Sequence, residues 1–201
     1  MNNTGIIILA AGRSSRFGKT KQLLNFNGKT LLQHVIEEAT KAGASPIVVI
    51  TGANASEVSA SITDKKINTV FNKDWSEGMA SGIVMGVIKI NELDSSIEKI
   101  IIAVCDQPFV TAAIFEQLDQ LQKKSGKHIV ASGYSNTVGT PVLFTRKYFD
   151  QLLGLKGDTG AKKILETYRD DVATIEFPQG NIDIDTQKDY EKLMDEQKHV
   201  L

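Results

Sequence analysis

The stretch GIIILAAGRSSRFGKTKQLL, Gly5 to Leu24, decides the fold. Its first part, Gly5 to Leu9, is an unbroken apolar run and reads as a buried strand. It passes directly into a small-residue loop carrying Arg13, Arg16, Lys19 and Lys21. In an open α/β sheet, ligands bind beyond the carboxyl ends of the strands. A cation-rich, glycine-bearing loop at that place is built for a polyphosphate, because glycine lets backbone approach a ligand closely. Composition alone allows a second reading, a solvated charge run on a polar loop.

The loop ends in Gly18-Lys19-Thr20, which looks like a Walker A phosphate loop. That pattern needs four residues between its first glycine and the Gly-Lys pair. Here five residues, Arg13 to Phe17, separate Gly12 from Gly18, and the required position is Arg13. One extra residue re-aims the backbone N–H groups that would wrap a phosphate. The expectation is therefore a different nucleotide loop, with Lys21 as candidate charge clamp and a solvated surface lysine as its bland alternative.

The 201 residues suffice for one substantial core, and the chain is expected to be one domain, 1–201. A net charge of −1 gives no global basic field, so no nucleic-acid partner is expected. The single cysteine, Cys105, rules out an intramolecular disulfide and fits a reducing compartment. There is no basic leader and no apolar run of membrane-spanning length. These features predict a cytoplasmic protein with no membrane association.

Strand-like and helix-like patterns alternate. Strands are expected at 5–10, 46–51, 67–71, 100–104, 128–131, 142–144 and 172–177. Helices are expected at 30–42, 54–63, 81–90, from a cap at Thr111 to 124, near 146–153 and 160–168, and at 187–198. This order predicts an α/β fold, with a mostly parallel central sheet and helices on both faces. The segment 133–160 interrupts the alternation and is expected to form a hairpin and loop beside the active face, a place for a second substrate.

Asp106 follows the fourth strand directly, where a carboxylate meets ligands. With phosphates expected nearby it is a candidate for Mg²⁺, which takes one or two carboxylates plus phosphate oxygens. Asp-X-Pro is also an ordinary turn. Asp183 and Asp185 are candidates for the second carboxylate. Asp185 stands just before the terminal helix and can be a cap, which favours Asp183 for the metal. Asn72, Asp74, Glu77, Gly78 and Ser81 lie in a glycine-containing loop that can face a base or ribose, or be plain surface, and Trp75 and Met79 can wall a pocket. Cys105 reads as a small buried residue rather than a nucleophile. His34, His128 and His199 show no zinc spacing. Dinucleotide and hydrolase motifs are absent.

The segments LAAGRSSRFGKTKQLL, NKDWSEGMASGI, CDQPFVT, GTPVLF, GDTGAKKIL and DIDT occur in an order that resembles the molybdenum cofactor cytidylyltransferase family. That family is part of the nucleotidyltransferase superfamily, which has a Rossmann-like fold. The resemblance covers essentially the whole chain. It implies that Leu9, Ala10, Ala11, Gly12 and Arg13 wrap the triphosphate, that Gly18 bends the loop, and that Lys21, not Lys19, touches phosphate. It implies Asp106 and Asp183 as ligands of Mg²⁺, with Arg13, Lys21 and Asp106 as the catalytic set. Asn72, Gly78 and Ser81 join the nucleotide-binding set. Ala11 and Gln107 lean toward CTP. Gly139-Thr140-Pro141 departs from the Gly-His-Pro usual in the molybdenum branch.

The expected activity is transfer of CMP from CTP to the terminal phosphate of the molybdopterin cofactor, releasing pyrophosphate. The alternatives are a guanylyltransferase using GTP, a nucleotidyltransferase acting on a sugar or polyol phosphate, and a non-catalytic chaperone delivering cofactor. An apo-molybdenum hydroxylase such as a xanthine dehydrogenase is the protein partner implied.

Overall fold

The computed structural model describes residues 1–14 and 17–198; Arg16 and His199 lie outside the described residues. Nine strands run β1 (Thr4–Ala10), β2 (Asn25–Phe26), β3 (Lys29–Thr30), β4 (Ile47–Thr51), β5 (Asn68–Phe71), β6 (Lys99–Val104), β7 (Ile129–Tyr134), β8 (Thr137–Thr145) and β9 (Val172–Glu176). Among the described residues seven α-helices accompany them: α1 (Leu31–Lys41), α2 (Ala55–Ala60), α3 (Met79–Leu93), α4 (Ala112–Ser125), α5 (Phe149–Leu153), α6 (Lys162–Thr167) and α7 (Gln187–Lys198).

The central sheet has the order β5-β4-β1-β6-β8-β7-β9. Strand β1 pairs in parallel with β4 and β6, and β4 with β5, while β8 runs antiparallel to both β6 and β7. The sheet is thus mostly parallel, as the alternation predicts. Its reversed strand is the product of the β7–β8 hairpin, whose closing residues Ser135 and Asn136 both have positive φ. The hairpin expected beside the active face therefore enters the sheet itself.

Strand β1 is buried on both faces. Ile6 and Ile8 pack with α1, α2 and α4, whereas Ile7 packs with α3, α5 and α6. Each fully buried isoleucine contributes about 1.5–3 kcal/mol of transfer free energy. Helices on the two faces explain why the strand reads as a continuous apolar run rather than an alternating one.

Local signals set the helix ends. Thr30 and Gln33 form a reciprocal capping box at the start of α1. Gly43, with φ +73, takes the left-handed turn that closes that helix. Thr111 stands at the N-cap of α4, but its side chain makes no capping bond. The Ala112 N–H donates instead to Glu38 Oε2 of α1 at 2.9 Å. Helix α3 starts at Met79, two residues before the expected Ser81, because Gly78 (φ +107) swings the chain straight into it. A Cβ on Gly86 would fall 2.6 Å from Ile7, so this glycine lets α3 lie close against β1.

A third apolar cluster joins Phe17, Phe26 and Leu31 to Ile184 and Leu193. It fastens the segment before α7 beside the first loop. The Ile184 N–H donates to the Asp106 carbonyl at 3.2 Å.

Candidate active site

The carboxyl ends of β1 and β6 meet in register, Leu9 opposite Val104. The chain leaving each strand therefore reaches the same edge, and the Ile184 bond brings a third segment to it. Lys21 is the hub. Its Nζ donates to Asp106 Oδ2 at 2.5 Å and to Asp185 Oδ1 at 3.1 Å. Burial pulls its ammonium pKa down, but the charge and hydrogen bond of Asp106 outweigh that and hold it above the ordinary lysine value. The Asp183 carboxyl is pushed up to about 6, first by burial and then by the negative charges of Asp106 and Asp185, against the pull of Lys21. Asp185 accepts from Lys21. Thr186 and Asp189 cap α7 for each other, with the Thr186 N–H donating to Asp189 Oδ2 at 2.8 Å.

Three carboxylates and one ammonium thus form a cluster with excess negative charge. Among the described residues no group of three or more His, Cys, Asp or Glu side chains converges tightly enough to hold a metal alone. A hard cation sharing one or two of these carboxylates and completing its shell with phosphate oxygens and water fits such a set. Lys19, the lysine of the false Walker motif, is exposed on the surface. Cys105 is buried beside Asp106, and burial followed by that negative charge pushes its thiol up to about 12. It is therefore neutral near pH 7, and the thiol is no nucleophile.

The first loop is held by a residue that sequence reasoning passes over. Gln22 is 1% exposed. Its Nε2 donates to the carbonyls of Ala10 at 3.0 Å and Gly12 at 2.9 Å. Its Oε1 accepts from Ser14 Oγ, which in turn accepts the Lys21 N–H. The loop is thereby tied to the residue next to Lys21. Gly18 carries the bend at φ +72. Gly12 has open space where a side chain would be. Gly52, after β4, is the opposite: a Cβ there would lie 2.7 Å from the Ala11 carbonyl oxygen, so only glycine lets the two turns touch. A buried glutamine inside the KQLL run is the only sequence hint of this arrangement.

Beside the charged cluster opens a cleft of about 500 Å³. Leu9, Ala11, Gly12, Arg13, Asn72 and Gly78 line it, together with Trp75, Met79 and Asp158. Arg13 lies over the Trp75 ring at 5.0 Å. Ala10 lies beneath, buried, with its carbonyl on Gln22. Ser81 also sits under the loop. Asn72 Nδ2 donates to Ser81 Oγ at 2.8 Å, and Asn72 Oδ1 accepts the Asp74 N–H at 3.0 Å. Ser81 Oγ lies within donating distance of both the Gly78 and Asp74 carbonyls. Both side chains are engaged in holding the 72–81 loop in shape. The structure thus gathers the expected residues into two neighbouring groups, the cleft and the Lys21–Asp106–Asp183 cluster.

Gly78 closes the cleft on its far side. A Cβ there would collide with Asp158 Oδ1 and fall 2.6 Å from the Gly157 backbone. The turn Gly157–Thr159 packs against this glycine, which makes Asp158 a lining residue that motif reading leaves without a role.

Comparison with known proteins gives the family and the fold. Over 103 residues the chain is 34% identical to nicotine blue oxidoreductase of Paenarthrobacter nicotinovorans, covering 51% of this chain and 48% of that one. Over 147 residues it is 30% identical to 3-deoxy-manno-octulosonate cytidylyltransferase of Wigglesworthia glossinidia brevipalpis, covering 73% of this chain and 56% of that one. The chain spans about half the length of these curated relatives. Among solved structures, Rv0371c of Mycobacterium tuberculosis superposes with a TM-score of 0.83 at 28% identity, over 96% of this chain and 97% of that one. A further structure of Rv0371c is a complex with manganese, with a TM-score of 0.78 at 26% identity over 96% and 97% of the two chains. Molybdopterin-guanine dinucleotide biosynthesis protein A of Archaeoglobus fulgidus shares the fold, with a TM-score of 0.68 at 16% identity over 97% and 99% of the two chains. The family described as the MobA-like NTP transferase domain matches residues 6–172, and the chain belongs to it, within the nucleotidyltransferase superfamily.

Proposed function

We propose that this protein transfers CMP from CTP to the terminal phosphate of the molybdopterin cofactor and releases pyrophosphate. The observation that carries the reading is the Lys21–Asp106–Asp183–Asp185 cluster at the end of β6, with the glycine-walled cleft beside it. Membership of the MobA-like family supports the nucleotidyl transfer. The cytidylyltransferase relative and Ala11 support CTP.

In this proposal the cleft holds base and ribose between Leu9, Trp75 and Met79. The backbone of Ala11 to Arg13 faces the triphosphate. An oxygen of the acceptor phosphate attacks the α-phosphorus in line. The bond to the bridging oxygen breaks, and its electron pair leaves with pyrophosphate. The acceptor is already ionised, so no general base is needed, and positioning and charge neutralisation carry the rate. Arg13 and Lys21 offset the charge growing on the leaving group. Asp106 and Asp183 would hold Mg²⁺, which when bound neutralises phosphate charge. The manganese complex of Rv0371c supports the use of a divalent ion.

The test is pyrophosphate release by the purified protein with Mg²⁺ and each NTP in turn, with and without molybdopterin. Release with CTP that depends on molybdopterin is expected. Release with CTP and a sugar or polyol phosphate instead would favour a sugar-type cytidylyltransferase, a reading the 30% identical relative also supports. Preference for GTP would overturn the nucleotide. Absence of turnover with every pair, with cofactor bound, would leave the chaperone role, and apo-molybdenum hydroxylase would be its partner.

A further inference from the structure

A second cavity, about 330 Å³, adjoins the nucleotide cleft and shares Met79 and Asp158 with it. Ile83, Val104, Val142 and Leu165 give it apolar walls. Val104 stands two residues before Asp106, so one end of this cavity lies at the charged cluster. Tyr134, the last residue of β7, forms part of the wall. Two glycines make room for its ring. A Cβ on Gly139 of β8 would collide with Tyr134 Oη, and one on Gly180 would fall 2.5 Å from Tyr134 Cδ1. Phe177 meets the ring edge to face, with centroids 6.5 Å apart. Gly180 lies three residues before Asp183, and its carbonyl accepts from Gln107 Nε2 at 2.7 Å. The buried Gln107 amide therefore serves this wall rather than the lining of the nucleotide cleft.

The phenol keeps its proton. Burial, then the negative charge of Asp183, holds its pKa above the ordinary value, against Thr140 and Gln107, which act on its oxygen as donors. Donors on the oxygen leave the O–H to point into the cavity. The reaction needs a donor there. An acceptor phosphate brought to the end of β6 meets the carboxylates of Asp106, Asp183 and Asp185 against the ammonium of Lys21. A cation offsets part of that repulsion. A neutral hydroxyl on the cavity side adds a short, charge-assisted hydrogen bond to a phosphate oxygen.

We propose that Tyr134 is a further substrate-contacting residue, whose hydroxyl donates a hydrogen bond to the acceptor phosphate and holds it for attack on the α-phosphorus. The proposal rests on the nucleotidyl transfer proposed above, whichever molecule carries the phosphate. Tyr134→Phe keeps the ring between its glycines and removes the donor alone. Wild type and variant are compared in steady-state transfer from the preferred NTP to the acceptor that turns over, molybdopterin or a sugar or polyol phosphate, by following pyrophosphate. A fall of about tenfold or more in kcat/KM for the acceptor is expected, with the NTP KM within about twofold. An unchanged kcat/KM for the acceptor overturns the contact while leaving the reaction intact. An equal loss toward NTP and acceptor overturns it too, because it marks a general distortion of the site. If wild type turns over no phosphate acceptor, the reaction assignment fails and the contact fails with it.

Discussion

Lys21 and Lys19 differ by two positions in sequence and by everything in environment. One is half-buried between two carboxylates, the other faces solvent. If Lys21 meets phosphate during turnover, Lys21→Ala lowers kcat/KM by about 100-fold or more, the scale seen when one charge-stabilising donor is lost. Lys19→Ala stays within about threefold, since an exposed charge away from the reacting atoms adds little. The reverse ranking, measured by pyrophosphate release, would restore the phosphate-loop reading. Gln22 has a different signature. Its removal leaves the Ala10 and Gly12 carbonyls without their shared donor, so Gln22→Ala costs about 1–3 kcal/mol in denaturant unfolding and raises the CTP KM. Asp106 stood out by its place directly after a strand, and Lys21 was singled out from Lys19 by the family resemblance. Gln22 was not, because an amide that serves only backbone carbonyls looks like any other polar residue in a loop.

Among the elements, strands were easier to read than helix starts. Buried parallel strands announce themselves as apolar runs, and those at 46–51 and 100–104 stand within a residue of the observed β4 and β6. The start of α4 misled for a physical reason: Thr111 sits in the capping position without a side-chain bond, while a carboxylate from the neighbouring helix takes the first helical N–H, that of Ala112. Such a cap joins two elements far apart in sequence, and no local pattern reveals it. Glu38→Ala is expected to cost about 1–2 kcal/mol, while Thr111→Ala costs a few tenths, both read as shifts of the urea midpoint. Equal losses in the two variants would mean that Thr111 caps in solution. The same blindness hid Asp185, which the chain order offered as a cap. Packing of Ile184 against Phe17 and Leu31 turns it to Lys21 instead.

For the molecule as a whole, the sheet class was legible and the sheet order was not. Periodicity says that a strand is buried, but not that β8 will slip between β6 and β7 in reverse. Behind that inserted hairpin, one carboxylate gathers the C-terminal half. Asp171 accepts from Tyr148 Oη and Lys147 Nζ, each at 2.8 Å, and from the His128 N–H at 3.0 Å. Burial works against its ionised form, yet the Lys147, His128 and Tyr148 bonds prevail and hold its pKa down to about 2. A carboxyl depressed in the folded state stabilises fully above its unfolded pKa of about 3.9 and loses that advantage as pH falls toward 2. Asp171→Asn is therefore expected to lower stability by about 1–3 kcal/mol at pH 7, with the gap to wild type closing between about pH 4 and 2 in denaturant titrations. A gap independent of pH would place the loss in packing rather than charge. The reversed strand has one more consequence. Since β6, β8 and β7 are hydrogen-bonded side by side, the sheet runs unbroken from the strands under the cleft to the edge strand β9. Cleft and charged cluster therefore stand on one continuous sheet, and any side chain placed at Gly78, Gly157 or Gly160 along the rim would strain a backbone held at positive φ.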